Sequence, residues 1–427
     1  MPKGRKKYSK YENYRTEQPA SSDEDAGIDM TNDNCSEISM QSDSRSNHDE
    51  VVESEAEKFE EKVMEIIDGL GARAALARAA ALVSLRNALQ RRHVGALLYG
   101  HRVTLAEVVS RTVRRGREVE RKAAAGIAPV LALQIGEEST EAYMKEVRPA
   151  LAAAAVDRSA SIETRTECCA SLAVLCYLLE EDITEILEIM KMYETIFSGS
   201  YPKGDGSVKV SGAVVEEAAL HASALDGWAL LLTMVPEVHA RSLLQCAPPA
   251  CARLASLLDA HGLEVRLAAG GALAIAHEHT ADPDGPEEEY VAEIIPQLLQ
   301  LTKDSHKYRA KRDRKLQRAT FRDILKYFEE NEVPSLSVRV GAEHVVCDTW
   351  GTRAAYSALT AALAGALPAL APHAPSLRRA LRLTAAPLVP VRSLNKMQRH
   401  LKNSAASKAR TVARNKSRDK RSAALAI

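Results

Sequence analysis

RTECCASL, from Arg165 to Leu172, carries an Arg, a small residue three positions on, another small residue three beyond that, and then Leu. The spacing recurs in RAAALVSL, where Arg78 leads to Ala81, Ser84 and Leu85, and in RLAAGGAL, where Arg266 leads to Ala269, Ala272 and Leu273. Arg121, with Ala124 and Ile127, is a weaker copy. Steps of three and four residues keep side chains on one face of an α-helix. Small residues on that face let helices approach closely while the Leu positions fill a stacked core. No single unit of this kind buries its apolar face alone, so the units must stack.

The four Arg positions stand 43, 44 and 101 residues apart, and the last gap leaves room for one more unit near Glu217 to Trp228. That period lies close to the armadillo and HEAT repeats. Aromatic content is only 4%, while Ala and Leu are abundant, which fits small side chains between close helices better than a β-sandwich or barrel. The expected fold is all-α: an armadillo/HEAT-like helical repeat solenoid with a small C-terminal subdomain and a basic C-terminal helix. Turn chemistry places the breaks at Gly69 and Gly71, Gly100, Gly136, Ser198 to Ser207, Pro248 and Pro249, and Ala281 to Pro286.

Outside the repeats the texture changes. The first 15 residues are basic, and from Ser21 to Glu61 acidic residues dominate in a Ser- and Asn-rich stretch with few core formers. Such a stretch cannot offset the entropy of ordering, so residues 1–52 are expected to be a disordered tail. The repeat body follows over 53–332. Beyond Glu332, Leu336, Val338 and Val340 alternate with polar residues, the pattern of a short hairpin, and open a C-terminal region over 333–391. A basic tail, 392–427, completes the chain. The longest uncharged stretch, Ala354 to Leu377, is interrupted by Pro368, Pro372 and Pro375, so it reads as soluble helix and not as a membrane span. Leu359, Leu363, Leu367 and Leu370 mark its expected buried stripe.

Sites for chemistry are not evident. The seven cysteines include no CxxC pair, and with no N-terminal apolar segment they read as reduced thiols of the cytosol or nucleus. Cys168, Cys169 and Cys176 fall in a repeat helix, where they serve packing. There is no GxxxxGK[ST], GxGxxG after a strand, GxSxG or HExxH. His277, Glu278 and His279 are adjacent, which spreads them over different helix faces and suits a helix end better than a metal site. Asp182, Glu185 and Glu188 read as a surface acidic stripe. No enzyme, cofactor, metal or small-molecule substrate is expected.

Charge is where the function lies. The chain has 57 basic and 57 acidic residues and a net charge of zero, but they are unevenly spread. KDSHKYRAKRDRKLQRATFRD, from Lys303 to Asp323, holds Lys307, Arg309, Lys311, Arg312, Arg314, Lys315, Arg318 and Arg322 against three Asp. At helical spacing Lys311, Arg314, Lys315, Arg318 and Arg322 share a face, with Leu316, Thr320, Ile324 and Tyr327 expected opposite. In the tail, Arg410, Arg414 and Arg418 recur at intervals that repel in an isolated helix, and phosphates would remove the repulsion. The tail is therefore expected to become helical on RNA. With no base-stacking aromatic in it, recognition of backbone or shape is the expected mode, and a basic run also reads as a nuclear import signal.

At this point the residues resemble the interferon-related developmental regulators. The likeness rests on SSDEDA at Ser21 to Ala26, EDITE at Glu181 to Glu185, HASALDGWALLLT at His221 to Thr233 and RLAAGGALA at Arg266 to Ala274. It extends through HKYRAKRDRKLQRATFRDIL at His306 to Leu325, CDTW at Cys347 to Trp350, and the tail LKNSAASKARTVARNKSRDKR. Residues 360–390 resemble the family only loosely. The resemblance implies an armadillo-like body with a family-specific C-terminal region, and a regulator of gene expression, cytoplasmic and nuclear.

It implies two modes of action. In one, a translational repressor binds idle ribosomes, its body occupying tRNA sites and its C-terminal helix the mRNA channel, with rRNA as partner. That role carries over to Lys307, Arg309, Lys311, Arg312, Arg314, Arg318, Lys408, Arg410, Arg414, Lys416, Arg418, Lys420 and Arg421. In the other, a transcriptional co-regulator scaffolds a histone deacetylase complex. Neither needs an active site.

Overall fold

The structure is a computed structural model that describes residues 43–202, 216–246, 251–281, 289–303, 310–384 and 411. The chain divides into two compact units, Met1–Glu57 and Lys58–Ile427, and the packing below belongs to the second. Helix α1 spans Asp43–Gly69. It begins inside the stretch expected to lack structure. Phe59 and Val63 pack on the core, and the helix continues backward from them because each residue added to a formed helix gains a hydrogen bond without a new nucleation cost.

The body is a double row of helices. The inner row is α2 (Ala75–Arg91), α4 (Glu118–Gln134), α6 (Ile162–Leu179), α8 (Ala218–Leu232) and α10 (Leu263–Thr280), each packed on the next. The outer row includes α3 (Arg102–Arg115), α5 (Thr140–Val156), α7 (Ile183–Phe197) and α9 (Glu237–Cys246). A last pair, α11 (Glu289–Lys303) and α12 (Lys311–Glu330), stacks on α10. The unit foreseen near Glu217 to Trp228 is α8.

The repeated Arg is a structural rung. Each inner helix places its third residue after the first over the turn that precedes it. Arg78 Nη1 donates to the Ala72 and Arg73 carbonyls, both at 2.8 Å. Arg121 Nε reaches Val113 O at 2.9 Å, Arg165 Nε reaches Ala155 O at 3.0 Å, and Arg266 Nη1 reaches Ala260 O at 2.7 Å. These carbonyls end the previous turn or helix, where positive charge is favoured. The same guanidiniums reach onward: Arg78 to Glu120 at 2.6 Å, Arg121 to Asp157 at 2.9 Å, Arg165 to Glu217 at 3.8 Å, Arg266 to Gln317 at 3.1 Å. In α8 the equivalent residue is His221, buried, with Nδ1 2.7 Å from Ser200 Oγ.

The C-terminal region lies on the free face of the inner row. Strands β1 (Leu336–Val340) and β2 (Glu343–Cys347) form the expected antiparallel hairpin, Val338 opposite Val345. Helix α13 (Trp350–Leu363) then crosses α10, α8, α6 and α4, and the turn after it reaches α2. Leu359, Leu363, Leu367 and Leu370 are buried as expected, but not in one helix: Ala364 takes φ 49° and the helix restarts at Leu367. Pro368 accounts for the break, since it has no N–H to donate to the Ala364 carbonyl in a continuous helix. Helix α14 (Pro375–Ala380) packs on α6, and Arg378 forms a bidentate pair with Glu343 of β2 at 2.7 and 2.8 Å.

Both ends of α13 are held by the solenoid with matching polarity. Glu278 of α10 accepts the Trp350 and Gly351 backbone N–H groups at its N-terminus, at 2.7 and 2.8 Å. Arg86 of α2 donates to Ala362 O near its C-terminus at 2.9 Å and lies 3.6 Å from Glu167 of α6. Both charges complement the helix dipole. Gly126 of α4 makes the second contact possible, since a Cβ there would stand 2.6 Å from Arg86 Nη1 and from Glu167 Oε1.

Candidate nucleic-acid interface

Helix α12 carries the first basic segment and is fixed to the body along one side. Gln317, Phe321, Ile324, Leu325 and Tyr327 are buried there. Its approach to α10 is close because Gly270 has no side chain: a Cβ would lie 2.8 Å from Ile324 Cδ1 and 3.0 Å from Phe321 Cε1. Gln317 is buried because it joins the rung at Arg266 and donates to Leu301 O at 3.3 Å. This sets the helix phase, and it corrects one expectation. Leu316 is 51% exposed, and Thr320 only half-buried, because the docked side is centred on Phe321 and Ile324.

Turning away from that side, Lys311, Arg312, Lys315 and Arg322 are exposed. None of the four has an acidic partner among the described residues. Arg314 and Arg318 are half-buried at the margin of the docked side, where Arg318 Nε donates to Arg314 O at 3.2 Å. The ridge ends at Lys326, whose amine is taken up by Glu330 and Glu332. Asn331, at φ 54°, closes the helix. Of the residues singled out from sequence, Lys307, Arg309, Lys408, Arg410, Arg414, Lys416, Arg418, Lys420 and Arg421 lie outside the described residues.

A second set of cations went unread in the sequence. Arg111, Arg114, Arg115 and Arg117 are exposed around the turn from α3 to α4, as are Lys122 and, next to the Asp157 that pairs with Arg121, Arg158. These turns belong to the edge where inner-row helices begin, the same edge at which α12 begins. The run RTVRRGREVERK, Arg111 to Lys122, holds the signal, but Glu118 and Glu120 dilute it and Arg121 serves a rung.

The other candidates resolve into structural parts. His277 Nδ1 lies 3.2 Å from the Tyr290 hydroxyl, His279 Nε2 lies 2.6 Å from Val235 O, and Glu278 caps α13, so the three diverge. Asp182 caps α7 by accepting from Thr184 N at 2.8 Å, and Glu185 pairs with Arg148 at 2.8 Å, so only Glu188 of that stripe is an exposed acid without such a task among the described residues. Cys168, Cys169 and Cys176 are fully buried, and burial pushes the Cys168 and Cys176 thiols up to about 12. No helix among the described residues is long and apolar enough to cross a membrane.

Stacked helix pairs that carry an exposed cationic ridge, unpaired among the described residues, define a helical-repeat protein. Sequence comparison then specifies which kind. The interferon-related developmental regulator (IFRD) pattern matches residues 34–329, and the interferon-related protein conserved region matches 375–422. The chain is 34% identical over 420 residues to Interferon-related developmental regulator 1 of Sus scrofa, covering 96% of this chain and 91% of that protein. It is 33% identical to the Homo sapiens protein of that name over the same shares. With Interferon-related developmental regulator 2 of Mus musculus it shares 33% identity over 383 residues, 86% of this chain and 84% of that protein. The chain belongs to the interferon-related developmental regulator family.

Proposed function

We propose that this regulator binds ribosomal RNA through its basic edge and tail and represses translation by occupying tRNA sites and the mRNA channel, without catalysis. The observation that carries the reading is the ridge of Lys311, Arg312, Lys315 and Arg322 on a helix immobilised by Phe321 and Ile324. Cations without acidic partners among the described residues, on a rigid support, meet phosphates without first ordering the backbone. Arg111, Arg114, Arg115 and Arg117 extend the positive edge. The tail from Lys408 to Arg421 lies within the matched region 375–422, as family-wide use of its charges requires. Such contacts address backbone and shape, the usual mode for structured RNA.

The test is co-sedimentation with purified ribosomes over a salt series, using the intact protein, a chain ending at Ser404, and the triple variant K311E/K315E/R322E. Salt-sensitive binding weakened by either change supports the reading, and each phosphate contact removed should lower the salt slope by about one. Absence of binding at low salt overturns it. Recovery of a deacetylase complex from nuclei would then favour the co-regulator mode.

A further inference from the structure

At the end of the inner row opposite α12, the last turns of α2 and the turn after α13 bound an open cleft of about 640 Å³, the size of a small-ligand site. Asn87, Gln90 and Arg91 line it from α2, and Gly365, Pro368 and Ala369 from the other side. Asn87 and Gln90 stand three residues apart, so α2 presents both amides on one face with Arg91 beside them. Asn87 and Arg91 are exposed and Gln90 is half-buried. Among the described residues, neither amide has a hydrogen-bond partner and Arg91 has no acidic one.

The two lining elements meet again just beyond the cleft. His93, two residues after Arg91, stacks on His373, four residues after Ala369, with ring centres 4.3 Å apart and planes at 14°. His373 is exposed, so the pair presents an aromatic surface next to the cleft. Six residues past His93, Tyr99 is 58% exposed and carries the Arg102 guanidinium 3.9 Å from its ring centre. Arg92 adds a further exposed cation. The chain has no acid from Gly69 to Ala106 or from Thr349 to Arg418, the two stretches that build this corner.

Amides that donate and accept, open aromatic rings and unpaired cations together match an unstacked nucleotide, whose base edge, base face and phosphate they meet in turn. A side-chain amide can pair with adenine through two hydrogen bonds. Other occupants use less of the corner. An acidic peptide would engage the cations and leave the rings idle, and an apolar helix would bury the two amides without partners. We propose that this corner binds an unpaired nucleotide of a single-stranded RNA, with the base in the cleft on Asn87 and Gln90 beside the His373 ring and the phosphate on Arg91. The inference rests on the RNA-binding reading and extends it from phosphate to base, at residues apart from the α12 ridge.

The experiment is fluorescence anisotropy of the full chain with a labelled oligoadenylate and with an abasic strand of equal length, which keeps the phosphates and loses the bases. Oligoadenylate should bind at least about tenfold more tightly. N87A/Q90A should erase that ratio at unchanged melting, since both side chains are unpartnered and Ala suits a helix. H373A, which removes an exposed ring, should reduce it. K311E/K315E/R322E should weaken both strands and keep the ratio. Equal affinity for the two strands, or a ratio unchanged in N87A/Q90A, overturns the proposal and leaves the ridge in place. Absence of binding by either strand at low salt overturns both readings.

Discussion

Glu278 Oε1 accepts the backbone N–H of Trp350 at 2.7 Å, across 72 residues of chain. A carboxylate satisfying two N–H groups at a helix start is a cap supplied in trans by another element, with the dipole in its favour. Replacing Glu278 by Ala should cost about 1–2 kcal/mol in chemical denaturation. Hydrogen exchange should rise first in residues 350–363. Unchanged exchange there would refute the capping role.

The rungs make a sharper demand. In Arg266→Leu, the Ala260 and His261 carbonyls and Gln317 Oε1 lose a charged donor inside the body. The expected loss is about 3 kcal/mol, since hydrogen bonds to charged groups contribute about 1.5–3 kcal/mol and buried acceptors are left bare. A shift below about 1 kcal/mol would demote the rung to a surface contact.

Gly270→Val places methyl groups where Ile324 and Phe321 already stand. Overpacking should cost about 1–3 kcal/mol and displace α12. Ribosome affinity should fall although no cation is changed, and unaltered affinity would separate the ridge from its support.

Thiol chemistry gives an independent check. With Cys168 and Cys176 pushed up to about 12 and fully buried, alkylation at pH 8 should follow global unfolding. Labelling of either at the rate of a free thiol in native buffer would contradict the packing.

The repeats were legible because their signal is local. Arg, small residue and Leu fall within eight positions, and the hairpin of Leu336 to Cys347 alternates in plain view. The gap between Arg165 and Arg266 has a simple cause, since His221 takes the rung in α8. What stayed hidden is long-range. Nothing near Arg86 announces that it will meet Ala362, 276 residues away, or that α13 will lie over the inner row. On α12 the ridge of Lys311, Lys315 and Arg322 was readable from charge, but the docked side only in part: Ile324 and Tyr327 are buried as expected, and Gln317 and Phe321 join them. Gln317 is polar in sequence and buried in the fold, whereas Leu316 is the reverse.

Helical repeats in contact only with their neighbours behave as springs: they stretch, bend and fray from either end. Here Glu278 and Arg86 attach α10 and α2 to opposite ends of one 14-residue helix, a rod of about 21 Å at 1.5 Å per residue. A spring bolted to a rod loses its travel. The spacing between the first and fifth inner helices is therefore set by the length of α13, and the body should meet any large partner as a gauge of fixed span.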